Sequence, residues 1–528
     1  MQHSTVLSAA AGLVVTAFAG FTSPSAQTDD AMPLYDNMGE YGRAITTESE
    51  RAQAYFNQGL RLAYGFARQE AAASFRIAQG HDADCAMCYW GEAWALGPYQ
   101  NNPGGVGAQE DAGEAAQNAR DRADGVQPWE QALIEAMAAR HAGSGGQEAA
   151  TERYAEAMGA AAAAHDDDHD VRTLYAESLM MYRPWDLYQD DGAPYPQTRT
   201  VIDELEAVLE EDLGHPGACH LYIHTVEAWQ PERAEACADG LADTIPGVSH
   251  IQHMPSHIYM NIGRYGDGVR SNQKARKVDQ AADYGEGISV YGTHNTLMIV
   301  YAAWMDGQSG VALSAAQDIA RERPADAFHY ALQLARFGRW DQLLEETTEP
   351  EEAFQAAMWH FAGGLAHLRT DDPEAAKEAL ETVRGIRENT PEEAMYHFFL
   401  HSQRDLLGIA ENILAGEIAA AHEEVDAAES YLREAVTLED GLGYSEPEPW
   451  PIPARHVLGA VLLEGGQPEA AEAVYREALE VHPRNGWSLR GLTHALTAQD
   501  KEAEAADAAD AFEAAWQRAD VWLPASRY

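Results

Sequence analysis

A two-helix repeat near the C-terminal end of the chain constrains the fold more than any other feature of this sequence. The segment His456–Pro483 reads HVLGAVLLEGGQPEAAEAVYREALEVHP. Gly459 and Ala471 are the small residues of this repeat and Tyr475 is a large one. Gly466 falls at the turn between the two apolar stretches. This spacing predicts two antiparallel helices whose small and aromatic residues interlock. Because one such pair cannot bury its apolar face alone, the sequence predicts a stacked array of pairs.

Further units follow the same pattern along most of the chain. Their small, aromatic and turn positions are Gly59, Ala71, Phe75, Ala78, Gly263, Tyr265, Ala275, Gly307 and Ala312. Alanine is abundant, and the long alternation of Val and Ile that marks strands is hard to find. The sequence therefore predicts an all-α fold whose helical array starts near residue 48 and continues to about residue 516.

The N-terminal residues predict export from the cytoplasm. An apolar stretch from Val6 to Phe21 is followed by small residues up to Ala26, although neither Lys nor Arg precedes it. This order is typical of a signal peptide. No later stretch is apolar for long enough to span a bilayer, so no membrane span is expected. The predicted location is the periplasm or the extracellular space.

Four regions are expected along the 528 residues. Their order is a signal peptide at 1–26, an N-terminal extension at 27–47, a first helical array at 48–345 and a second array at 346–528. The second array includes a segment at 444–455 that is rich in Pro and Trp. That segment cannot be helical throughout, and we expect it to fold across a groove as a cap.

The charge balance excludes one class of partner. The chain has 35 basic and 85 acidic residues, which gives a net charge of -50. A surface of this kind repels the phosphate backbone, so nucleic acid is not an expected partner. Two readings stay open: an acidic surface suited to a saline environment, and a preference for a cationic ligand or metal.

Eight segments together carry a resemblance to a known family. They are CAMCYWGEAWALGP (85–98), RPWDLY (183–188), HPGACHLYIHTVEA (215–228), HMPSHIYMNIGRY (253–265), YGTHN (291–295), RFGRWD (336–341), YSEPEPWPIPAR (444–455) and NGW (485–487). With them the chain resembles a group of exported bacterial tetratricopeptide-repeat (TPR) proteins, most of which have no assigned activity. The resemblance implies a right-handed helical solenoid. Two residues depart from the pattern of the group. Cys219 stands where a small residue is usual, and Leu297 stands where a histidine is usual.

Four cysteines form two local pairs. Cys219 and Cys237 lie on consecutive predicted helices, and antiparallel packing predicts a disulfide between them in an oxidising compartment. Cys85 and Cys88 form a CxxC motif at the start of a helix, where a thiol has a lowered pKa. For this second pair a disulfide, a pair of metal thiolates and a catalytic dithiol all stay open. Haem attachment is excluded, because Tyr89 follows where His is required.

Five histidines are expected to face one groove. His220 and His224 are four residues apart, as are His253 and His257, so each pair lies on one helical face. The two pairs are offset by 33 residues, which is close to one repeat and stacks them side by side. Counted from the turn glycine Gly307, His294 falls at the second position of the first helix of the next repeat, a position that faces the same groove. The sequence predicts that these imidazoles converge on the concave face of the solenoid.

The histidines are candidate ligands of a transition metal. Imidazole binds Zn and Cu well, and histidines four residues apart on a helix can share one ion. Glu177 and Glu227 are candidates for an orienting carboxylate or a general base. Trp90, Trp94 and Trp450 are candidate groove aromatics, although large aromatics are also usual in TPR packing. A groove for an organic or peptide ligand and structural hydrogen bonding are the alternatives.

Three functions follow from this reading. The first is an exported TPR binding module whose histidine groove holds a transition metal, Zn or Cu, or a ligand through that metal. The second is a metal-dependent enzyme that uses the same groove, and the third is a metal-free scaffold for protein partners. HExxH, GxSxG and nucleotide-binding motifs are absent from the sequence. The partner, whether protein, peptide or small molecule, and the oligomeric state stay open.

Overall fold

The fold was analysed in a computed structural model that describes residues 32–346, 348–396 and 400–528. The protein is all-α, as predicted. The predicted signal peptide at 1–26 lies outside the described residues. Within the described part of the chain, no helix is long and apolar enough to cross a membrane.

Thirteen helices lie between residues 32 and 282, where the structure describes the chain. They are α1 (Glu50–Tyr64), α2 (Arg68–His81), α3 (Ala86–Leu96), α4 (Gln109–Arg120), α5 (Pro128–His141), α6 (Gly146–Ala164), α7 (His169–Met180), α8 (Pro196–Glu211), α9 (Pro216–Val226), α10 (Glu235–Leu241), α11 (Ser249–His253), α12 (Pro255–Asn261) and α13 (Tyr265–Ala282). A short 3-10 turn at Pro231–Ala234 joins α9 to α10. Consecutive helices pack against each other along this half of the chain.

The remaining helices continue the stack. They are α14 (Gly292–Met305), α15 (Ser309–Glu322), α16 (Phe328–Arg336), α17 (Trp340–Glu345), α18 (Ala353–Arg369), α19 (Pro373–Asn389), α20 (Gln403–Ala421), α21 (Val425–Asp440), α22 (Ala454–Glu464), α23 (Pro468–Val481), α24 (Gly486–Ala498) and α25 (Glu502–Ala515). A 3-10 turn occupies Pro324–Asp326, and two short antiparallel strands, β1 (Met395–Tyr396) and β2 (His401–Ser402), precede α20.

Local sequence explains where many helices begin. The side chains of Ser49, Asp168 and Asn485 accept hydrogen bonds from backbone N–H groups in the first turns of α1, α7 and α24. These caps satisfy donors that the helix itself leaves unpaired. Pro216 and Pro468 occupy the first turns of α9 and α23, where the missing N–H of proline is harmless.

Aromatic residues interlock with glycines between successive pairs. A Cβ added to Gly59 of α1 would lie 2.7 Å from the Phe75 ring, and one added to Gly91 of α3 would lie 2.5 Å from the same ring. Tyr475 of α23 stands in the same way between Gly459 of α22 and Gly491 of α24. In both places only glycine lets the ring approach so closely. The repeat predicted from the sequence is therefore present at both ends of the array.

The N-terminal extension packs along the first array. Tyr41 and Arg43 of this extension contact Asp170 of α7, with the Tyr41 hydroxyl donating at 2.8 Å and the Arg43 guanidinium at 2.9 Å. The backbone N–H of Thr46 donates to Glu130 of α5 at 2.7 Å. These buried, charge-assisted bonds fix the extension across α1, α5 and α7.

The buried apolar residues of the described chain form two large clusters. Two large clusters of buried apolar residues run from Met38 to Val290 and from Ile299 to Ala508, whereas the sequence predicts a boundary at residue 345. The residues just after residue 299 belong to the second cluster, so one core gives way to the other before residue 345.

The last repeats pack back on α14. The Trp487 indole donates to the carbonyl of Trp304 at 3.0 Å. This contact brings the 444–455 segment over the first array.

All four cysteines are bonded in the structure. Cys85 and Cys88 are joined across the first turn of α3, and both are fully buried. Cys85 is the N-cap of that helix. Cys219 of α9 is joined to Cys237 of α10, which is the pairing predicted from the sequence.

Candidate functional site

The predicted histidines meet on four neighbouring helices of the first array. His220 and His224 lie on α9, His253 ends α11, His257 lies on α12, and His294 lies in the first turn of α14. Every residue of α9 is buried, because this short helix packs within the array. The structure divides these histidines into two groups and adds a sixth, His250 of α11.

The first group, called here the first trio, consists of His220, His224 and His250. One ring nitrogen of each lies within 4.8 Å of the others, and all three side chains are buried. The Nε2 atoms of His220 and His250 are 3.1 Å apart. The Nδ1 of His220 lies 2.5 Å from the carbonyl oxygen of Tyr64.

The second group, called here the second trio, consists of His253, His257 and His294. The Nε2 of His253 lies 2.7 Å from the Nε2 of His257 and 3.2 Å from that of His294. The Nδ1 of His253 lies 2.6 Å from the Oδ1 of Asn272, and the Nδ1 of His257 lies 2.7 Å from the Oε2 of Glu227. His294 is half-buried and the other two are buried.

The partners of the Nδ1 atoms fix the position of the protons. The Tyr64 carbonyl can only accept, so the Nδ1 of His220 must donate. The amide of Asn272 donates its Nδ2 to the carbonyl of Gly268 at 2.9 Å, which leaves its Oδ1 to accept from His253. Each ring therefore keeps Nε2 for the interior of its trio. Metal-bound histidines are usually held by such contacts on the other ring nitrogen.

Nε2 atoms that face each other at these distances need a proton or a metal ion between them. Lone pairs of two rings that point at each other across 2.7 to 3.2 Å repel unless a proton or a metal ion lies between. Two zinc ligands at the usual Zn–N distance are about 3.3 Å apart in a tetrahedral site. The pair His253 and His294 matches that spacing, and the His253 and His257 rings would separate by about half an ångström to admit zinc.

Burial and charge set the ionisation of the site. Burial, together with neighbouring histidines, lowers the pKa of His220, His250 and His253 well below the usual value. Burial would also lower the pKa of His257, but the carboxylates of Glu446 and Glu227 outweigh it and raise the pKa to about 10. Without a metal, His257 therefore carries the proton that it shares with His253. A metal ion entering the second trio displaces that proton.

The 444–455 segment closes one side of the second trio. Glu446 forms an ion pair with the Nδ1 of His257, and the Tyr444 hydroxyl donates to Glu446. The Nδ2 of Asn261, one turn after His257, donates to the Tyr444 hydroxyl at 3.2 Å. The segment thus covers the histidines, as the sequence predicts for a cap.

A cavity of about 560 Å³ lies beside both trios. Its volume falls in the range of pockets that hold small organic ligands. The residues that line it come from the loops after α3 and α7, from the trios and from the cap, and include Gln100, Asn101, Trp185, Tyr188, His224, Glu227, Trp229, His250, His253, His257, Tyr291, His294, Leu400, Tyr444 and Glu446. Five of the six histidines therefore face one cavity.

Gln100, a polar residue of the cavity wall, is a buried amide with unused hydrogen-bonding groups. Its side chain is fully buried, and neither Nε2 nor Oε1 has a hydrogen-bond partner within the described part of the chain. Burial of an amide without hydrogen-bond partners costs up to several kcal/mol of folding free energy. Such groups are therefore rare in proteins. Gln100 thus presents one acceptor and two donors toward the cavity.

Glu227 lies at the site, whereas Glu177 is bound elsewhere. The Oε2 of Glu227 accepts from His257, and its Oε1 lies 3.4 Å from the Nδ1 of His224. Glu177 forms an ion pair with Arg68 and accepts from the Trp94 indole at 2.7 Å. Because both its oxygens are occupied in the core, Glu177 is not a base or ligand of the trios.

The three candidate groove aromatics prove to be core residues. Trp90 and Trp94 are stacked on each other with ring centroids 5.4 Å apart, and both are about 1 % exposed. Trp450 packs on Phe361 with centroids 5.4 Å apart. All three are therefore buried by packing and do not face the groove. Trp185, which is 47 % exposed and stands edge-on to His224, is the aromatic that lines the cavity.

Two residues of the site were not predicted from the sequence. His250 lies three residues before His253 and shares its helical face, so the spacing that identifies the other pairs could have found it. Glu446 reaches the site through the long-range packing of the second array, for which the local sequence gives no signal. The cysteines take no part, because each metal-compatible group found among the described residues contains only His and Glu.

Comparison with known proteins supports the fold and leaves the function open. Residues 452–485 match the family described as tetratricopeptide repeat, so the repeat read from the sequence is a TPR. No curated protein sequence matches the chain. Yeast Tom70 is similar with a TM-score of 0.29 and 10 % identity over 86 % of this chain and 90 % of its own.

Two further solved structures resemble the chain to the same slight degree. The Cut9 and Hcn1 hetero-tetramer of APC/C gives a TM-score of 0.29 and 11 % identity, covering 89 % of this chain and 78 % of that one. The human IFIT1 dimer with m7Gppp-AAAA gives a TM-score of 0.28 and 12 % identity, covering 90 % and 92 %. Likeness at this level carries no argument about function.

Proposed function

We propose that this protein binds a transition-metal ion through the second trio and uses it to hold a small ligand in the adjoining cavity. The observation that carries the proposal is the arrangement of His253, His257 and His294. Their Nε2 atoms meet at 2.7 and 3.2 Å, while the Nδ1 atoms of His253 and His257 are occupied by Asn272 and Glu227. Three convergent imidazole nitrogens with oriented rings are the donor set of an open metal site.

The chemistry of the donors favours zinc or copper. Imidazole nitrogen suits Zn, Cu, Fe and Ni, whereas Ca and Mg prefer six or more oxygen ligands. The cysteines of the chain are all in disulfides and supply no thiolate. Three nitrogen ligands leave at least one coordination position for a water molecule or a ligand atom.

The adjoining cavity favours a small ligand over a folded protein partner. TPRs commonly bind other proteins, but the fold alone does not assign that role. The second trio lies at the wall of a cavity of about 560 Å³ and beneath the cap segment, where a folded domain cannot reach it. Gln100 and Trp185 offer hydrogen bonds and an aromatic face to such a ligand.

A metal-dependent enzyme is the second candidate. The open position that would bind a ligand atom could equally hold a water molecule, and a bound metal lowers the pKa of that water. Glu446, which lines the same cavity, is the carboxylate available there as a general base. Hydrolytic activity that appears only with added zinc would select this candidate.

The experiment that tests the proposal is metal uptake by untagged protein. Metal-stripped protein is titrated with ZnCl₂ by calorimetry, and the metal retained after gel filtration is counted. We expect at least one equivalent for the wild type, one equivalent fewer for H253Q/H257Q, and no change for the control H81Q/H422Q, whose histidines are exposed. No retained metal in the wild type, or equal uptake by H253Q/H257Q with unchanged helical content, would refute the proposal.

A further inference from the structure

We propose that the first trio is a second metal site, so that the protein holds two ions side by side. This inference rests on the proposed function and extends it. The first trio is formed by His220 and His224 of α9 and His250 of α11, and one nitrogen of each lies within 4.8 Å of the others. The sequence reading placed two of these three residues in a single shared site.

The rings of the first trio are prepared for a metal in the same way as those of the second. The Nδ1 of His220 donates to the Tyr64 carbonyl, so its Nε2 lone pair points at the Nε2 of His250, 3.1 Å away. The Nδ1 of His224 faces the Oε1 of Glu227, which leaves its Nε2 for the trio. The spacing of 3.1 Å is close to the 3.3 Å or so expected between two nitrogens on tetrahedral zinc.

Two nitrogens of the first trio are buried and have no protein partner. The Nε2 of His224 and the Nδ1 of His250 form no hydrogen bond with any residue that the structure describes. A buried ring nitrogen without a partner is costly, and it is uncommon to find two in one cluster. Phe66, which stacks on His224 and His250, provides an apolar wall rather than a hydrogen bond. A cation bound by the trio supplies the missing partner of the His224 Nε2.

The geometry favours two ions over one shared ion. The ring centroids of His250 and His253 are 5.7 Å apart, and those of His224 and His257 are 5.5 Å apart. A third metal-compatible group, made of His224, Glu227 and His257, joins the two trios, and one ion in either trio leaves the lone pairs of the other uncompensated. Glu227 lies between them, with one carboxylate oxygen toward His224 and the other toward His257. It therefore orients one ligand of each site.

Both sites open on the same cavity, which defines the kind of ligand they can take. His224 and His250 of the first trio and all three histidines of the second line its wall. A ligand with two donor oxygens, such as a carboxylate or another oxyanion, can reach both ions at once. Two divalent cations would also offset the negative charge of Glu227 and Glu446 at this wall.

The test is the stoichiometry and spectrum of Co²⁺ binding to the untagged, metal-stripped chain. The wild type should bind two equivalents. H220Q/H250Q should retain one, H253Q/H294Q should retain one, and the combination of all four substitutions should retain none. The visible absorption of Co²⁺ reports low-coordinate nitrogen ligation in each single-site variant. The control H81Q/H422Q should bind two.

Each result separates this inference from the proposed function. One equivalent in the wild type, kept by H220Q/H250Q and lost by H253Q/H294Q, overturns the second site and leaves the proposed function standing. No binding in the wild type overturns both. The wild-type count decides the question even if H220Q/H250Q does not fold, and circular dichroism identifies that case.

Discussion

Substitution of Glu227 by Gln should weaken both metal sites unequally, because one carboxylate serves both. Its Oε2 accepts from His257 at 2.7 Å, and its Oε1 lies 3.4 Å from the Nδ1 of His224. In E227Q one oxygen becomes an NH₂ group, which cannot accept from an N–H. At least one of the two rings then loses its orientation and the tautomer that exposes Nε2.

The size of the effect follows from the two distances. Loss of a partner that orients a metal-bound histidine lowers metal affinity by about 10- to 100-fold, or roughly 1.4 to 2.8 kcal/mol. The contact of 2.7 Å with His257 is a good charge-assisted bond, but the Nδ1 of His257 keeps its ion pair with Glu446, so the loss at the second trio should lie at the lower end of this range. The contact of 3.4 Å with His224 is weak, so the first trio should lose less than about tenfold.

The assay compares affinities with each site isolated. Zinc is titrated in competition with a chromophoric chelator, once in the H220Q/H250Q background and once in the H253Q/H294Q background, with and without E227Q. E206Q is the matched control, because Glu206 contacts Tyr222 and Arg233 instead of a histidine. Unchanged affinity at both sites would refute the role assigned to Glu227.

Three further substitutions test the site and the fold. N272L should lower zinc affinity at the second trio about 10- to 100-fold and leave the first unchanged, because only His253 loses its acceptor; a titration in each single-site background checks this. D170N should destabilise the chain by roughly 3 to 5 kcal/mol in urea, because it breaks a buried charge network. G91A should lose about 1 to 3 kcal/mol, since its methyl would lie 2.5 Å from an aromatic ring, whereas G363A, with nothing within 4 Å, should lose nothing.

The Asp170 network also predicts a direction of pH dependence. Burial would raise the pKa of Asp170, but His215 and Arg43 hold it well below its usual range. A carboxyl whose pKa is lower in the folded state adds stability at pH values above its unfolded pKa and loses it as the pH falls toward its folded pKa. The urea stability of the wild type should therefore fall more steeply below pH 4 than that of D170N. Parallel pH profiles would contradict this assignment.

Local sequence predicted the fold and much of the site. The small and aromatic positions around Gly459 and Tyr475 predict the interlocked helices, because that packing depends on residues one helix apart. The spacing of four residues within each histidine pair, the offset of 33 between the pairs and the position of His294 brought together five ligand candidates, four of which line one cavity. Periodicity was sufficient here because each helix of the array has a fixed face toward its neighbours.

The remaining features depend on contacts that the local sequence does not encode. The division into two trios follows from His250, which α11 turns toward His220 while it turns His253 toward His257. Glu446 arrives from a segment almost 200 residues further along the chain, and its contact with His257 depends on how the two arrays meet. Trp90 and Trp94 were misassigned, because an aromatic at a helical face position is equally suited to a core and to a groove.

Anomalous X-ray scattering from zinc-loaded crystals tests the central claim most directly. Data collected on either side of the zinc absorption edge locate the ions without reference to any variant. The account predicts an anomalous peak about 2.0 to 2.1 Å from the Nε2 atoms of His253, His257 and His294, and a second peak within the first trio. Zinc bound only at surface carboxylates, with the Nε2 atoms of the second trio still in contact with each other, would contradict it.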